Sequence, residues 1–181
     1  MHNNLNSKPN SDTRIEIIEY NSDWRVQFLA ERSILQAALA EWLIGDIEHI
    51  GSTAVAGLAA KPVIDIMAPV ASLEVSHDAI AAAEAARYCF YPYKPDEMHW
   101  FCKPSPEERT HHLHLVPLGS RRWHEQIAFR DALRQNPELA QEYAALKRRL
   151  AKDFANDREA YTDAKAPFIQ NAIRMQISYK T

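Results

Sequence analysis

From Arg14 onward, apolar residues recur either at every second position or every three to four positions, the two periods that mark strands and helices. "RIEIIEY" alternates with β-branched residues and reads as a strand. Ser22 then caps a helix that carries Trp24, Phe28, Leu35, Leu39 and Trp42 on one face and ends near Gly45. Ile47 to Ile50 and Pro62 to Val70 are two further strands, and "SHDAIAAAEAAR" is an alanine-rich helix with Ser76 as its cap. "MHWFCK" and "THHLHLV" pair as a hairpin around the turn-like "PSPEE". From Arg122 the pattern is helical throughout. One helix runs to about Gln135, a second from Pro137 to Phe154, and a third region from Asp157 to Tyr179 is interrupted or restarted at Pro167, a residue favoured at the first position of a helix. Met1 to Thr13 has no period and is polar, so a disordered lead-in is expected there.

Composition narrows the class. A chain of 181 residues, 46% hydrophobic and 25% charged, suits one domain or one domain with an appended subdomain. It contains no long apolar run and no signal-peptide pattern, so a cytoplasmic location without membrane contact follows by default. Cys89 and Cys102 make neither a disulfide framework nor a zinc spacing, and read as buried thiols. A net charge of -3, with no extended basic surface or aromatic platform, argues against large RNA or DNA as a partner. The segment from Arg121 to Lys152 nevertheless carries eight Lys/Arg against four Asp/Glu, and an anionic ligand would be held there.

The stretch "IEHIGSTAVAGLAAKPVIDIM" holds the candidate chemistry. Gly51 and Ser52 end a strand, where glycine allows a sharp turn and a close approach of backbone to a ligand. If a short helix starts near Ala54, its N-terminus, with Ser52, Thr53 and Lys61, suits a phosphate group. The alternative is an ordinary turn. Asp65 lies between Ile64 and Ile66 in the apolar strand, where an unpaired carboxylate costs several kcal/mol or stays protonated. A cation, a basic side chain, an opening at the strand end, or backbone hydrogen bonds must compensate it.

"EHIGSTAVAGLAAKPVIDI", "HHLHLV", "FRDALRQNPELAQEYAALK" and "YTDAKAPFI" resemble the GrpB family, in order, from about Ile15 to Ile173. That family is placed with the nucleotidyltransferases of the polymerase-β type, whose signature is a Gly-Ser turn followed by an aspartate pair on a strand. Here twelve residues separate Ser52 from Asp65. The resemblance implies an α+β fold, a small mixed sheet packed against helices, with a nucleotidyltransferase-like core at 14–120, a helical subdomain at 121–181, and Gly51, Ser52 and Asp65 at the site. Family members are also found joined to dephospho-CoA kinase, which points to coenzyme A or nucleotide chemistry. Two positions depart from the pattern. Met67 stands where the second carboxylate of a magnesium-binding pair belongs, and Ala56 where the family usually has proline.

The superfamily takes a further acidic residue from a neighbouring strand, and here that strand is "THHLHLV". Alternation sends His112 and His114 to one face and His111, Leu113 and Leu115 to the other. With Asp65, the pair makes a two-histidine, one-carboxylate set for zinc, manganese, nickel or iron. The alternative is a histidine hydrogen-bonded to Asp65 without metal. His49, His99 and His124 are isolated and read as structural or exposed.

Helical spacing sorts the cations. Lys147 falls within the apolar stripe of Leu139, Tyr143, Leu146, Leu150 and Phe154, so it either meets a ligand phosphate or Asp65, or snorkels to water. Arg130 and Arg134 share a helix side with Trp123 and Ile127; they either clamp a phosphate or carboxylate, or pair with Asp131 or Glu138. Tyr161 and Lys165 repeat the one-turn spacing on the last segment. Three functions remain open. They are a nucleotidyltransferase acting on a nucleoside phosphate through a divalent metal, a non-catalytic module for a nucleotide or coenzyme A-like ligand, and a metal-dependent hydrolase built on Asp65, His112 and His114.

Overall fold

A computed structural model describes residues 14–178 as a five-stranded mixed sheet with five α-helices. The lead-in at residues 1–13 and the end of the last predicted segment, at Tyr179, lie outside the described residues. The strands are β1 (Glu48–Ile50), β2 (Ile64–Val70), β3 (Cys89–Tyr91), β4 (His99–Pro104) and β5 (Arg109–Pro117), in the spatial order β1-β2-β5-β4-β3. β2 is parallel to β5, and every other neighbouring pair is antiparallel. The nearly continuous apolar run of β2 fits its interior place between β1 and β5, where both faces are covered.

Alternation along each strand divides the core. Ile64, Ile66, Ala68, Leu113, Leu115 and Phe101 pack against Trp24, Phe28, Leu35, Ala79 and Ala83. Those last residues come from α1 (Asp23–Ala38) and α2 (Ala79–Ala85). The opposite face carries Ile50, Met67, Met98, Trp100, Cys102 and Val116, met by Trp123 and Ile127 of α3 (Arg121–Gln135). Helices α4 (Pro137–Asp153) and α5 (Arg158–Ser178) pack with α3 around Phe129, Leu133, Tyr143 and Ala172. Ser120 caps α3 by accepting from the Trp123 amide at 3.3 Å, and Asn136 caps α4 by accepting from the Leu139 amide at 3.0 Å.

Several expectations change. "RIEIIEY" is not a strand but an extended strap with an isolated bridge between Ile18 and Ala60. Its alternation is real and serves two cores, since Ile15 and Ile17 face the helices while Ile18 and Tyr20 face the α1 side. β3 is not foreseen by the pattern. α5 runs through Pro167 without restarting. The lost backbone bond there is offset by packing of Tyr161 and Ala164 on one side of it and Phe168, Ile169 and Ala172 on the other. The first helix takes its cap from Asn21, whose Oδ1 accepts from the Asp23 amide at 2.9 Å, and not from Ser22. Ser76 donates to the Ser72 carbonyl at 2.6 Å instead of capping α2.

Candidate functional site

The strand registers align one transverse row of side chains. Ile50 lies opposite Asp65, Asp65 opposite His112, His112 opposite Cys102, and Cys102 opposite Cys89. Opposed residues share a face, so Asp65 and His112 point toward the helical layer. The adjacent row runs through Met67, His114 and Trp100 and points the same way. Alternation thus brings His112 and His114 to the face of Asp65, while Leu113 and Leu115 pack in the core on the other side.

Gly51 sets the height of this row. Its φ is +70° and its ψ -171°, a region that only glycine adopts readily, and a Cβ there would sit 2.3 Å from Asp65 Oδ2. Glycine is therefore required twice, by its backbone and by the carboxylate lying against it. The chain continues as a 3-10 turn, Ser52–Ala54, in place of the α-helix start near Ala54.

His112 Nδ1 is 2.9 Å from Asp65 Oδ1, a hydrogen bond in which the ring nitrogen donates. His114 Nε2 lies 3.9 Å from the same oxygen, too long for a hydrogen bond, while its Nδ1 faces Met98 Sδ at 3.2 Å. Nε2 of both histidines is buried with no hydrogen-bond partner. The Asp65 side chain keeps 29% of its exposure. Burial alone would push its carboxyl up, but the His112 and His114 rings more than offset burial and hold it well below the usual carboxylate range. Burial pushes His114 below its ordinary value, against the pull of Asp65. An ionised carboxylate thus faces two imidazoles with unused nitrogens, and one donor atom from each of the three residues falls within 4.8 Å of the others.

Two lysines, Lys165 and Lys61, feel the Asp65 charge. Burial brings Lys165 down to about 8 against the attraction of Asp65, and its ammonium lies 4.2 Å from the centre of the Tyr161 ring. Lys61 is also brought to about 8, by burial first and then by Arg158 and Arg109, with Asp65 acting in the opposite sense. Lys147 is 2% exposed; its Nζ donates to the Ala59 carbonyl at 2.6 Å and lies 4.7 Å from the centre of the Tyr143 ring. Burial, with Lys165 and Arg148 adding to it, lowers Lys147 to about 7. Lys147 neither snorkels to water nor meets Asp65.

Other candidates are engaged elsewhere. Thr53 is buried, donates to the Val63 carbonyl at 3.2 Å and lies 3.0 Å from His49 Nε2, so its hydroxyl is spent on the turn. Arg130 bonds Glu48 at 2.6 Å, Asp131 at 2.8 Å and the His49 carbonyl at 3.2 Å. Arg134 donates twice to the Ala54 carbonyl, at 3.1 and 2.8 Å. Arg130 fastens α3 to β1, and Arg134 fastens it to the turn after Gly51. Tyr143, which the helical stripe places in the core, is missed as a site residue: burial pushes its phenol well up, Tyr161 and Asp65 add to the rise, and a hydrogen bond with Ser52 opposes it. Arg109, whose guanidinium lies 5.4 Å from the centre of the Trp100 ring, and Trp100, 5.0 Å from the His112 ring, are also missed.

The profile of the GrpB protein family matches residues 14–175. The chain belongs to the GrpB family. A UPF0157 protein of Pseudomonas aeruginosa is 39% identical over 158 residues, covering 85% of this chain and 64% of that protein. The glutamate-rich protein GrpB of Alkalihalophilus pseudofirmus is 34% identical over 162 residues, 87% of this chain and 92% of that one. This GrpB chain therefore spans less than two thirds of the Pseudomonas relative, and 46% of the UPF0157 protein YqkA of Bacillus subtilis, to which it is 32% identical. Among solved structures, the conserved protein GrpB from Enterococcus faecalis superposes with a TM-score of 0.82 at 30% identity, over 91% of this chain and 99% of that one. The Cid1 poly(U) polymerase, solved bound to MgATP, superposes with a TM-score of 0.53 at 11% identity, over 75% of this chain and 44% of that one. That likeness is one of fold alone: the chain shares the sheet-and-helix core of that polymerase.

Proposed function

We propose that this GrpB-family chain binds a nucleotide or other phosphorylated small molecule over the Asp65 row, together with one divalent metal ion held by Asp65, His112 and His114. The observation that carries this reading is an ionised carboxylate beside two buried imidazole nitrogens that have no partner. Such nitrogens are costly unless something fills them. Two nitrogens and one oxygen suit zinc, manganese, iron or nickel better than magnesium, which prefers oxygen donors. The paired-carboxylate magnesium site of transferring enzymes does not fit, because Met67 is fully buried in the apolar cluster and offers no ligand. Bound here, the ion would supply Lewis-acid neutralisation of phosphate oxygens.

In this reading residues 14–120 form the floor of the cleft and the helical subdomain from 121 its roof, in a cytoplasmic protein. Lys61 and Lys165 take phosphate charge, and the Gly51 and Ser52 backbone takes a phosphate oxygen. Tyr161 positions Lys165, Lys147 adds positive potential from behind Tyr143, and Thr53, Arg130 and Arg134 hold the turn in shape. The single-ion donor set favours a binding module or a hydrolase over two-metal nucleotidyl transfer.

Thermal melts with ATP, coenzyme A and inorganic phosphate, each in zinc, manganese, magnesium or chelator, test the proposal. A ligand at a hundred times its Kd adds about 2.7 kcal/mol, which is roughly 5–10 °C for a chain of this size. A shift that needs manganese or zinc and vanishes in His112→Ala supports the reading. A shift of the same size in chelator and in His112→Ala removes the ion from it, and no shift with any of the three ligands removes the phosphate.

A further inference from the structure

Cys89 on β3 and Cys102 on β4 face each other directly across an antiparallel pair, and both are free thiols. Residues opposed in this way have Cα atoms about 4.5–5.5 Å apart, inside the roughly 4.4–6.8 Å span that a disulfide bridges. Their Cβ atoms, about 4.5–5.5 Å apart, must come to roughly 3.5–4.5 Å, so closure draws the strands together by about 1 Å. β3 is a three-residue edge strand paired on one side only, and can make that shift without breaking a second ladder. The two thiols differ in access. Cys89 is half-buried, its Sγ 3.3 Å from the Pro104 carbonyl, whereas Cys102 is fully buried and burial pushes its thiol up. An oxidant from solvent therefore meets Cys89 first, and Cys102 is the thiol placed to resolve the product.

We propose that Cys89 and Cys102 form a reversible cross-strand disulfide at the end of the Asp65–His112 row. With hydrogen peroxide as oxidant, the Cys89 thiolate attacks one peroxide oxygen and the O–O bond breaks. Cys89 becomes a sulfenic acid, and the departing hydroxide takes up a proton to leave as water. Cys102 then loses its proton and attacks the Cys89 sulfur; the S–S bond forms and the S–O bond breaks, releasing a second water. Two thiols give up two electrons and the peroxide accepts both. A thiol reductant reverses the reaction by exchange. Because Cys102 is the register partner of His112, the bond draws a side chain of this row toward β3 and away from the histidine. This follows from the strand register and needs no ligand at Asp65.

The test uses the reduced full chain exposed to hydrogen peroxide, blocked with an alkylating reagent, digested without reductant and analysed by mass spectrometry. The expected product is a Cys89–Cys102 linked peptide lighter by two hydrogens, converted back to two alkylatable thiols by dithiothreitol. The native strands hold the second thiol at a higher effective concentration than the unfolded loop does. The ratio of disulfide to sulfinic acid at Cys89 should therefore be at least about 10-fold higher in the native chain than in urea. Sulfinic acid at Cys89 with Cys102 still free, disulfides only between chains, or equal ratios in the two states would each overturn the proposal.

Discussion

Replacing Gly51 by alanine tests the packing on which the site depends. The residue sits at φ +70° and ψ -171°, where a side chain costs about 1–3 kcal/mol. The new Cβ would lie 2.3 Å from Asp65 Oδ2 and 3.0 Å from the Asp65 Cβ and Cγ. The carboxylate cannot retreat without breaking its 2.9 Å bond from His112, and a hydrogen bond to a charged group contributes about 1.5–3 kcal/mol. Together these give a loss of about 3–5 kcal/mol, a large part of the roughly 5–15 kcal/mol that holds a domain folded. Urea unfolding at neutral pH should show the midpoint falling by about 1.5–2.5 M, for a slope near 2 kcal/mol per M. A cycle with Asp65→Ala separates the two parts. The backbone cost and the 3.0 Å contact with the residue-65 Cβ should remain in the double variant, and the coupling between the sites should be about 1.5–3 kcal/mol. A Gly51→Ala protein that loses less than about 1 kcal/mol, or a coupling near zero, would refute this account of the turn.

Other consequences are open to the same kind of measurement. The unfolded chain holds the Lys147 proton up to its ordinary 10.5 and the folded chain only to about 7, so between those pH values unfolding takes up a proton and stability rises with pH. Lys147→Met should flatten that rise in urea midpoints measured from pH 7 to 10, and an unchanged slope would contradict the burial described. His49, brought to about 4 by burial, is protonated on unfolding between pH 6.5 and 4, so stability falls as the pH drops through that window. In His49→Gln this part of the acid limb should disappear, as followed by circular dichroism. Arg130→Met should cost about 2–4 kcal/mol by leaving the Glu48 carboxylate without its cation and Asp131 with only Arg134, 3.8 Å away, with nucleotide affinity per folded molecule unchanged. A loss of affinity larger than the loss of folded protein would return Arg130 to the ligand.

What the sequence reveals follows the reach of its local rules. Strand alternation is strict, so the shared face of His112 and His114 and their separation from Leu113 could be read directly. That Asp65 lies opposite His112 follows only once the β2–β5 register is known, and register is a long-range property. Helical periodicity is weaker at α3, which is covered on two sides. A helical wheel shows that Arg130 and Arg134 share a side with Trp123 and Ile127, but not that this side lies on β1 and reaches the carbonyls of His49 and Ala54. The Thr53 hydroxyl faced the same difficulty, since its partners are His49 and Val63 rather than its neighbours in the turn. Tyr143 belongs to an apolar stripe, and its buried phenol also bonds Ser52 and feels the Asp65 charge, a double duty that periodicity cannot express. β3 escaped because three residues are too few to show a period.

Divalent metal binding by the untagged chain, purified without metal-affinity resin, bears most directly on the whole reading. After incubation with zinc or manganese and removal of the free ion, the protein should retain about one equivalent of metal. His112→Ala and His114→Ala should retain none while melting cooperatively. A folded wild-type chain that keeps neither ion would contradict the account, and the histidines would then serve only to hold the Asp65 charge.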